Sequence, residues 1–207
     1  MSAKEKIYLF DFDGTLTTRD TFLEFIKYSK GTFLLILSFL LFSPLLILMK
    51  LHLYNNGKAK QKLFSFYYKG ETLENFNEIC RGFAHTRAGL FRSSARDYIS
   101  GVVASGAQVF IVSASVNNWV MPFFYPDGYD NSNASSIKIV GTELEIEKGK
   151  LTGRFQTLNC YGTEKVRRVE ALLSCPRCNY DIEAFGDSRG DKEMLEYADQ
   201  GHYKPFR

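Results

Sequence analysis

Two aspartates stand two residues apart at Asp11 and Asp13. They close a short apolar run and directly precede Gly14, in the stretch Lys-Ile-Tyr-Leu-Phe-Asp-Phe-Asp-Gly-Thr-Leu-Thr from Lys6 to Thr17. Side chains two apart in extended backbone project to the same side, so both carboxylates can face one spot while Phe12 turns away. Like charges this close raise each other's pKa unless a cation or a proton compensates. A hard, oxygen-seeking Mg²⁺ ion, held by one or two carboxylates together with phosphate oxygens, relieves that repulsion. The competing reading is a turn in which Asp13 only satisfies backbone N–H groups, as in many Asp-Gly turns.

Three later stretches bear on the choice. Val109 to Ser115, Val-Phe-Ile-Val-Ser-Ala-Ser, is a second apolar strand ending in small hydroxyl residues, with a helix expected from about Val116. Ser113 falls where strand passes into loop, and a hydroxyl with free amides at such a point suits a phosphate oxygen. Ser115 is placed to cap the helix. Lys165 lies near the start of a helix that Gly162 or Thr163 would cap; by itself a lysine there is a solvated group. Tyr180 to Asp191, Tyr-Asp-Ile-Glu-Ala-Phe-Gly-Asp-Ser-Arg-Gly-Asp, repeats the strand-end carboxylate at Asp187, with Asp191 four residues on.

Together the four stretches resemble the four motifs of the haloacid dehalogenase (HAD) superfamily, in order and at ordinary spacing across nearly the whole chain. The resemblance implies Asp11 as nucleophile and Asp13 as general acid/base. It implies that Ser113, the adjoining Ala114 and Lys165 bind the transferring phosphoryl group. Asp11, Asp13, Asp187 and Asp191 would form the Mg²⁺ site, with Asp191 either a direct ligand or a support behind one. Members lacking the second carboxylate tend towards other chemistry, so Asp13 favours phosphate hydrolysis. Phosphoryl transfer asks a protein mainly for positioning and charge stabilisation, which Mg²⁺ and Lys165 would supply. Attack by Asp11 followed by hydrolysis of an aspartyl-phosphate divides a very slow reaction into two easier steps. Asp13 would protonate the leaving oxygen in the first step and deprotonate water in the second.

The elements that must position these residues follow from hydrophobic pattern. Ile7 to Phe10 read as a buried strand. Ala88 to Ser105 reads as a helix stopped by Gly106, Ile137 to Glu147 as a strand, and Lys148-Gly149-Lys150 as its turn into Leu151 to Phe155. A helix over Thr163 to Leu173 leads to the Ile182 strand, and Lys192 to Tyr197 forms the last helix. Trp119, Phe123, Phe124 and Tyr125 read as helix packing. Alternating strands and helices imply an α/β protein with a doubly wound, mainly parallel sheet and its site beyond the carboxyl ends of the strands. Residues 1–18 and 88–207 are expected to form the catalytic core. Residues 19–87, helical in pattern with Phe22, Phe25 and Ile26 opening an apolar face, form an inserted helical cap, as in the phosphoserine-phosphatase-like branch. Asp20 and Thr21 lie just past the catalytic loop, where the resemblance to that branch implies a residue facing the substrate, and Asp20 reads equally as a helix cap.

Within the cap, Phe33 to Met49 is apolar except for Ser38, Ser43 and Pro44, and is flanked by Lys30 and Lys50. As one helix it would span roughly 26 Å, slightly short of a hydrocarbon core of about 30 Å. A single crossing would also separate Asp11 from Ser113, Lys165 and Asp187. Three readings remain: a hairpin of two short helices broken at Ser43-Pro44 and dipping into one leaflet, a cap face lying on a membrane, or a buried core helix. A cap of this size offers little interior, so membrane contact or a partner surface is favoured.

The chain has 207 residues and a net charge of +3, too small to argue for nucleic acid, with Lys and Arg scattered. Cys80, Cys160, Cys175 and Cys178 do not form a secreted disulfide framework, and Cys175-Pro-Arg-Cys178 has no second pair to complete a zinc site, so a surface turn is expected. No apolar leader precedes the first strand, so the cytoplasm is the expected compartment, with a peripheral place on the inner membrane face if residues 33–49 bind lipid. The apolar cap beside Asp20 is similar to the branch containing a phosphatidylglycerophosphate phosphatase, making a lipid phosphate the first expected substrate. A soluble phosphorylated metabolite such as phosphoserine is second, and a membrane-docked binding protein without turnover is third.

Overall fold

A computed structural model describes residues 4–51, 53–126 and 137–207. Five strands form one parallel sheet in the order β3-β2-β1-β6-β7: β1 Glu5–Phe10, β2 Gln108–Val116, β3 Ile137–Thr142, β6 Tyr180–Gly186 and β7 Gln200–Tyr203. An antiparallel hairpin, β4 Leu144–Glu147 and β5 Lys150–Phe155, stands apart from it. Period-two alternation divides the apolar residues between two cores. Ile7, Leu9, Phe110, Val112, Ile182 and Ala184 pack on one face with Val169 of α8 (Thr163–Glu170) and Met194 of α9 (Lys192–Tyr197). Phe10, Val109, Ile111 and Phe185 pack on the other with helices inserted between β1 and β2 and with α6 (Ser93–Ala104). Both faces are covered, which is why the strands read as unbroken apolar runs.

The insertion consists of α1 Thr21–Lys30, α2 Thr32–Leu41, α3 Ser43–Lys50, α4 Asn56–Tyr68 and α5 Leu73–Thr86. An aromatic cluster holds α1, α4 and α5 together: Phe25 meets Tyr68 at 5.5 Å, Phe76 at 5.6 Å and Phe83 at 5.3 Å between ring centroids. Trp119, on α7 (Asn117–Val120), stacks on Phe25 at 5.0 Å and joins the insertion to the sheet. Burying a side chain of this size contributes about 2 kcal/mol or more, so the junction is a packed interface.

Several expectations need correction. The strand carrying Ser113 continues to Val116, and the helix after it is the single turn of α7, beginning at Asn117. Ser115 caps nothing: the residue preceding α7 is Val116, with no side-chain cap, and the Ser115 hydroxyl reaches across the fold to Asp13. The expected strand Ile137 to Glu147 is divided, because Leu144 leaves the sheet to pair with Phe155. At Gly141, just before this exit, a Cβ would lie 2.6 Å from the Ser115 carbonyl, so the approach to β2 needs glycine there. Lys148 and Gly149 turn β4 into β5 with φ of 49° and 74°, the left-handed pair that a two-residue hairpin demands. The helix expected from Ala88 starts only at Ser93 after a 3₁₀ turn, and α8 ends at Glu170. Edge strand β7 was not anticipated.

The apolar segment is two helices. Residues α2 and α3 bend by 69° at Phe42, with Pro44 in the first turn of α3, where its missing N–H costs nothing. No single helix among the described residues is long and apolar enough to cross a membrane. The buried-core reading does not hold: within the segment only Ser38 is buried, and Phe33, Ile36, Leu40, Leu41 and Ile47 are exposed.

Candidate active site

β1 delivers Asp11 at its carboxyl end, where the Asp11 N–H still donates to Phe185 O of β6 at 2.9 Å. The chain then turns tightly through residues 12–16. Gly14 takes φ of 79°, the left-handed region that favours glycine, and a Cβ on it would press on the Asp187 carboxylate at 2.6 Å and displace it from the site. Neighbouring parallel strands thus bring Asp11 and Asp187 together across 176 residues of sequence.

Lys165 enters from the first turn of α8. Its ammonium donates to Asp11 Oδ1 and to Asp191 Oδ1, both at 2.6 Å, and to Val112 O of β2 at 2.7 Å. A solvated surface lysine is excluded: Lys165 is fully buried, with three acceptors for its three protons. Asp191 receives the Asp187 and Ser188 N–H groups at 3.1 and 2.9 Å and the Ser188 hydroxyl at 2.8 Å, all on Oδ2. With Lys165 on its other oxygen, Asp191 holds the lysine and the Asp187 loop in place. Thr15 donates its hydroxyl between Asp11 Oδ2, at 3.1 Å, and Asp187 Oδ1, at 3.4 Å.

Asp13 is held differently. The Thr21 N–H donates to its Oδ1 at 2.7 Å, the Thr21 hydroxyl to the same oxygen, and the Ser115 hydroxyl to its Oδ2. Its carboxylate therefore stands between the start of α1 and the end of β2. Ser113 is fully buried, and its Oγ accepts the Ser115 N–H at 3.0 Å, whereas Ala114 reaches the cavity. Asp20 accepts the Leu23 N–H at 3.2 Å as the cap of α1, and it also lines the cavity.

The cavity has a volume of about 400 Å³. Asp11, Asp13, Lys165 and Asp191 form its polar end, and Phe39, Leu46 and Met49 of α2 and α3 form an apolar wall. Among the described residues, Asp11, Asp187 and Asp191 each offer a carboxylate oxygen within 4.8 Å of the others. Three close carboxylates offset by Lys165 and by the Arg207–Asp187 ion pair make an oxygen-only donor set, which fits a hard cation such as Mg²⁺.

The family model of the haloacid dehalogenase-like hydrolases matches residues 8–196, from β1 through α9. The chain belongs to this family. Protein CicA of Caulobacter vibrioides is 34% identical over 212 residues, covering 100% of this chain and 89% of that protein. A protein of unknown function from Bordetella pertussis Tohama I superposes with a TM-score of 0.75 at 18% identity, covering 94% of this chain and 87% of that one. A substrate-bound phosphoserine phosphatase superposes with a TM-score of 0.56 at 19% identity, covering 95% and 84%. At these identities the two solved structures establish likeness of fold.

Electrostatics in this HAD hydrolase follow from burial. Removal from water pushes the Asp11 carboxyl up to about 7, with the Lys165 ammonium pulling it down and Asp191 pushing it further up. Burial also works against the Lys165 ammonium, but Asp11 and Asp191 more than offset it and hold the lysine above its usual range. For Asp191, burial is outweighed by Lys165 and Ser188, and the carboxyl lies below its usual value. Burial raises Asp187 against the pull of Arg207.

Thr15 and Lys60 carry no mark in the sequence, whereas Thr21 and Ser115 do, but for other roles: a residue facing the substrate and a helix cap. Thr21, just past the catalytic loop, holds Asp13, and Thr15 sits within that loop, where hydroxyls are common and carry no signal. Ser115 had one: it shares a strand face with Ser113, as Asp13 does with Asp11. Lys60 had none. It comes from α4, lines the cavity and donates to Ala114 O at 2.9 Å.

Proposed function

We propose that this haloacid dehalogenase-like phosphatase hydrolyses a phosphomonoester through an aspartyl-phosphate on Asp11, and that its substrate is a lipid phosphate such as phosphatidylglycerophosphate. The observation that carries the chemistry is the buried Asp11 carboxylate, 2.6 Å from the Lys165 ammonium at the polar end of the cavity. Asp11 attacks phosphorus as the bond to the leaving oxygen breaks, and Asp13 gives that oxygen its proton. Water then attacks the phosphorus, returning its proton to Asp13 and freeing inorganic phosphate and the Asp11 carboxylate. The Ala114 backbone and Lys165 hold the phosphoryl group during both steps, and Ser113, buried behind them, fixes the turn by accepting the Ser115 N–H. Asp11, Asp187 and Asp191 are the residues to hold Mg²⁺, with Asp13 beside them; bound there, the ion offsets negative charge on carboxylates and phosphoryl oxygens.

The lipid part rests on a second observation. Phe39, Leu46 and Met49 wall the same cavity whose polar end holds Asp11, so an apolar substituent on the phosphate has a surface to lie against. Residues 33–49 are then the contact with the membrane that supplies it.

The test is a panel of phospholipid phosphates and phosphorylated metabolites, with and without Mg²⁺, using wild type and Asp11→Asn. Turnover that needs Mg²⁺, vanishes in Asp11→Asn and favours a lipid phosphate supports the whole reading. Preference for a metabolite such as phosphoserine removes the lipid part. Equal turnover by wild type and Asp11→Asn removes the assigned nucleophile, and an inactive wild type leaves the binding protein.

A further inference from the structure

Resting on the lipid-phosphate reading, we infer that α2 and α3 dock the protein on an anionic lipid bilayer as a shallow wedge at the headgroup and acyl boundary, with the cavity mouth at headgroup level. Three independent features of the insertion carry this.

The first is apolar exposure. Phe33 is 81% exposed, Leu40 68%, Leu41 61% and Ile47 58%, and Ile36, Leu37 and Leu48 add to the same two helices. A contiguous apolar face of this kind marks a partner or membrane surface. At 1.5 Å per residue α2 and α3 are roughly 15 and 12 Å long, and with a 69° bend between them each leg lies about 35° from the bilayer plane, so the corner reaches roughly 7 to 9 Å below the outer ends. The 69° bend therefore suits a shallow wedge at the headgroup and acyl boundary, with both ends of the segment on the same side.

The second is polar satisfaction at the bend, where a membrane offers no water. Phe42 N donates to Ser38 O at 2.8 Å, and Leu46 N donates to Phe42 O at 2.9 Å. The Ser43 hydroxyl donates to Leu40 O and the Ser38 hydroxyl to Leu35 O, both at 2.8 Å. Pro44 brings no N–H to satisfy. These groups are satisfied within the protein, with Tyr67 of α4 also donating to the Ser38 hydroxyl.

The third is charge, and it selects the kind of bilayer. Between Glu24 and Glu71 there is no acidic residue, while Lys27, Lys30, Lys50, Lys58, Lys60, Lys62 and Lys69 all fall there. Net charge of the whole chain is only +3, so positive charge is concentrated in this insertion. Helix α1, bearing Lys27 and Lys30, packs on α2, and α4, bearing Lys58 and Lys62, packs on α3. All of these except the half-buried Lys30 are exposed, as is Lys50 at the end of α3. Cations bordering an apolar wedge match a negatively charged lipid surface. A second copy of the chain would bring the same lysines face to face, which argues against self-association.

The cavity ties docking to the site. Phe39, Leu46 and Met49 belong to the wedge and also wall the space above Asp11, so a lipid can pass from leaflet to catalytic carboxylate along one apolar surface.

The experiment is flotation of the full chain with vesicles of phosphatidylcholine alone or mixed with phosphatidylglycerol, repeated with Asp11→Asn so that binding is read without turnover. Both proteins are expected to float with the anionic vesicles, and less at high salt. Lys50→Gln, Lys58→Gln and Lys62→Gln together should weaken partitioning roughly a hundred-fold. Leu40→Asp with Leu41→Asp should abolish it. Both sets keep wild-type hydrolysis of p-nitrophenyl phosphate, which shows that they fold. No flotation, equal salt-independent flotation with neutral vesicles, or undiminished binding by either variant set overturns the docking surface. Loss of aryl phosphatase activity in the wild type would instead strike the proposed chemistry, leaving vesicle binding to be judged separately.

Discussion

Lys60 of α4 donates its ammonium to the main-chain oxygen of Ala114, 2.9 Å away at the end of β2. The bond joins the helical insertion to the strand end beside the catalytic carboxylates. Burial draws the Lys60 pKa below its usual value, opposed by Asp13, Asp20 and Asp11.

Lys60→Met keeps the length of the side chain and removes this bond and its charge. KM for p-nitrophenyl phosphate should rise roughly ten-fold or more, the worth of a charged hydrogen bond, with a smaller change in kcat. Steady-state kinetics check it. An unchanged KM would reduce Lys60 to packing on Phe22, whose ring lies 5.2 Å from its ammonium.

Asp13 is aimed by Thr21 and Ser115, which together occupy both of its oxygens. Asp13→Asn should lower kcat by roughly 10²- to 10⁴-fold on an alkyl phosphate, whose leaving oxygen needs a proton. On p-nitrophenyl phosphate, whose leaving group departs unprotonated, the first step should suffer much less. Ser115→Ala should reproduce a weaker form of the same split. Equal losses on both substrates would remove Asp13 as the proton donor.

The helix bearing Lys165 is tied down by Glu164. Its carboxylate accepts Arg167 Nε at 2.7 Å and Arg168 Nε at 2.8 Å, while Arg168 also donates to Gly141 O and Leu158 O. The Arg167 hydrogen bond, against burial and with Arg168 assisting, draws the Glu164 carboxyl from 4.5 to about 2. A pKa depressed by folding contributes stability above the unfolded value, and that contribution is lost as pH falls from about 4.5 towards 2. Glu164→Gln should therefore cost about 3 kcal/mol at pH 7, by removing the negative charge that faces the buried Arg168 and leaving it only the carbonyls of Gly141 and Leu158. The gap between mutant and wild type should narrow below pH 4.5, as read by urea unfolding across the series.

The four cysteines divide by burial. Cys80 and Cys160 are buried, and burial pushes the Cys160 thiol up to about 11, whereas Cys175 and Cys178 are exposed. Thiolate is the reactive form, so iodoacetamide should label Cys175 and Cys178 in the native protein and all four only after unfolding. Mass spectrometry of the labelled peptides decides it. Native labelling of Cys160 would mean that the β3 and α8 interface opens readily.

The primary sequence by itself determined the strands that end in Asp11 and Asp187, the parallel α/β class, the helical character of residues 19–87 and the break at Ser43-Pro44. Each is a local consequence of apolar run, residue spacing or a missing N–H. Tertiary structure alone decided that Ser115 serves Asp13 across 102 residues instead of capping a helix, that Lys60 reaches Ala114, and that Leu144 abandons the sheet for Phe155. It also decided that α2 and α3 face outward, since exposure depends on how much neighbouring surface the other helices supply. These are contacts between distant segments, whose partners are chosen by packing and by the need to pair buried polar groups, and no pattern within a short window encodes that choice.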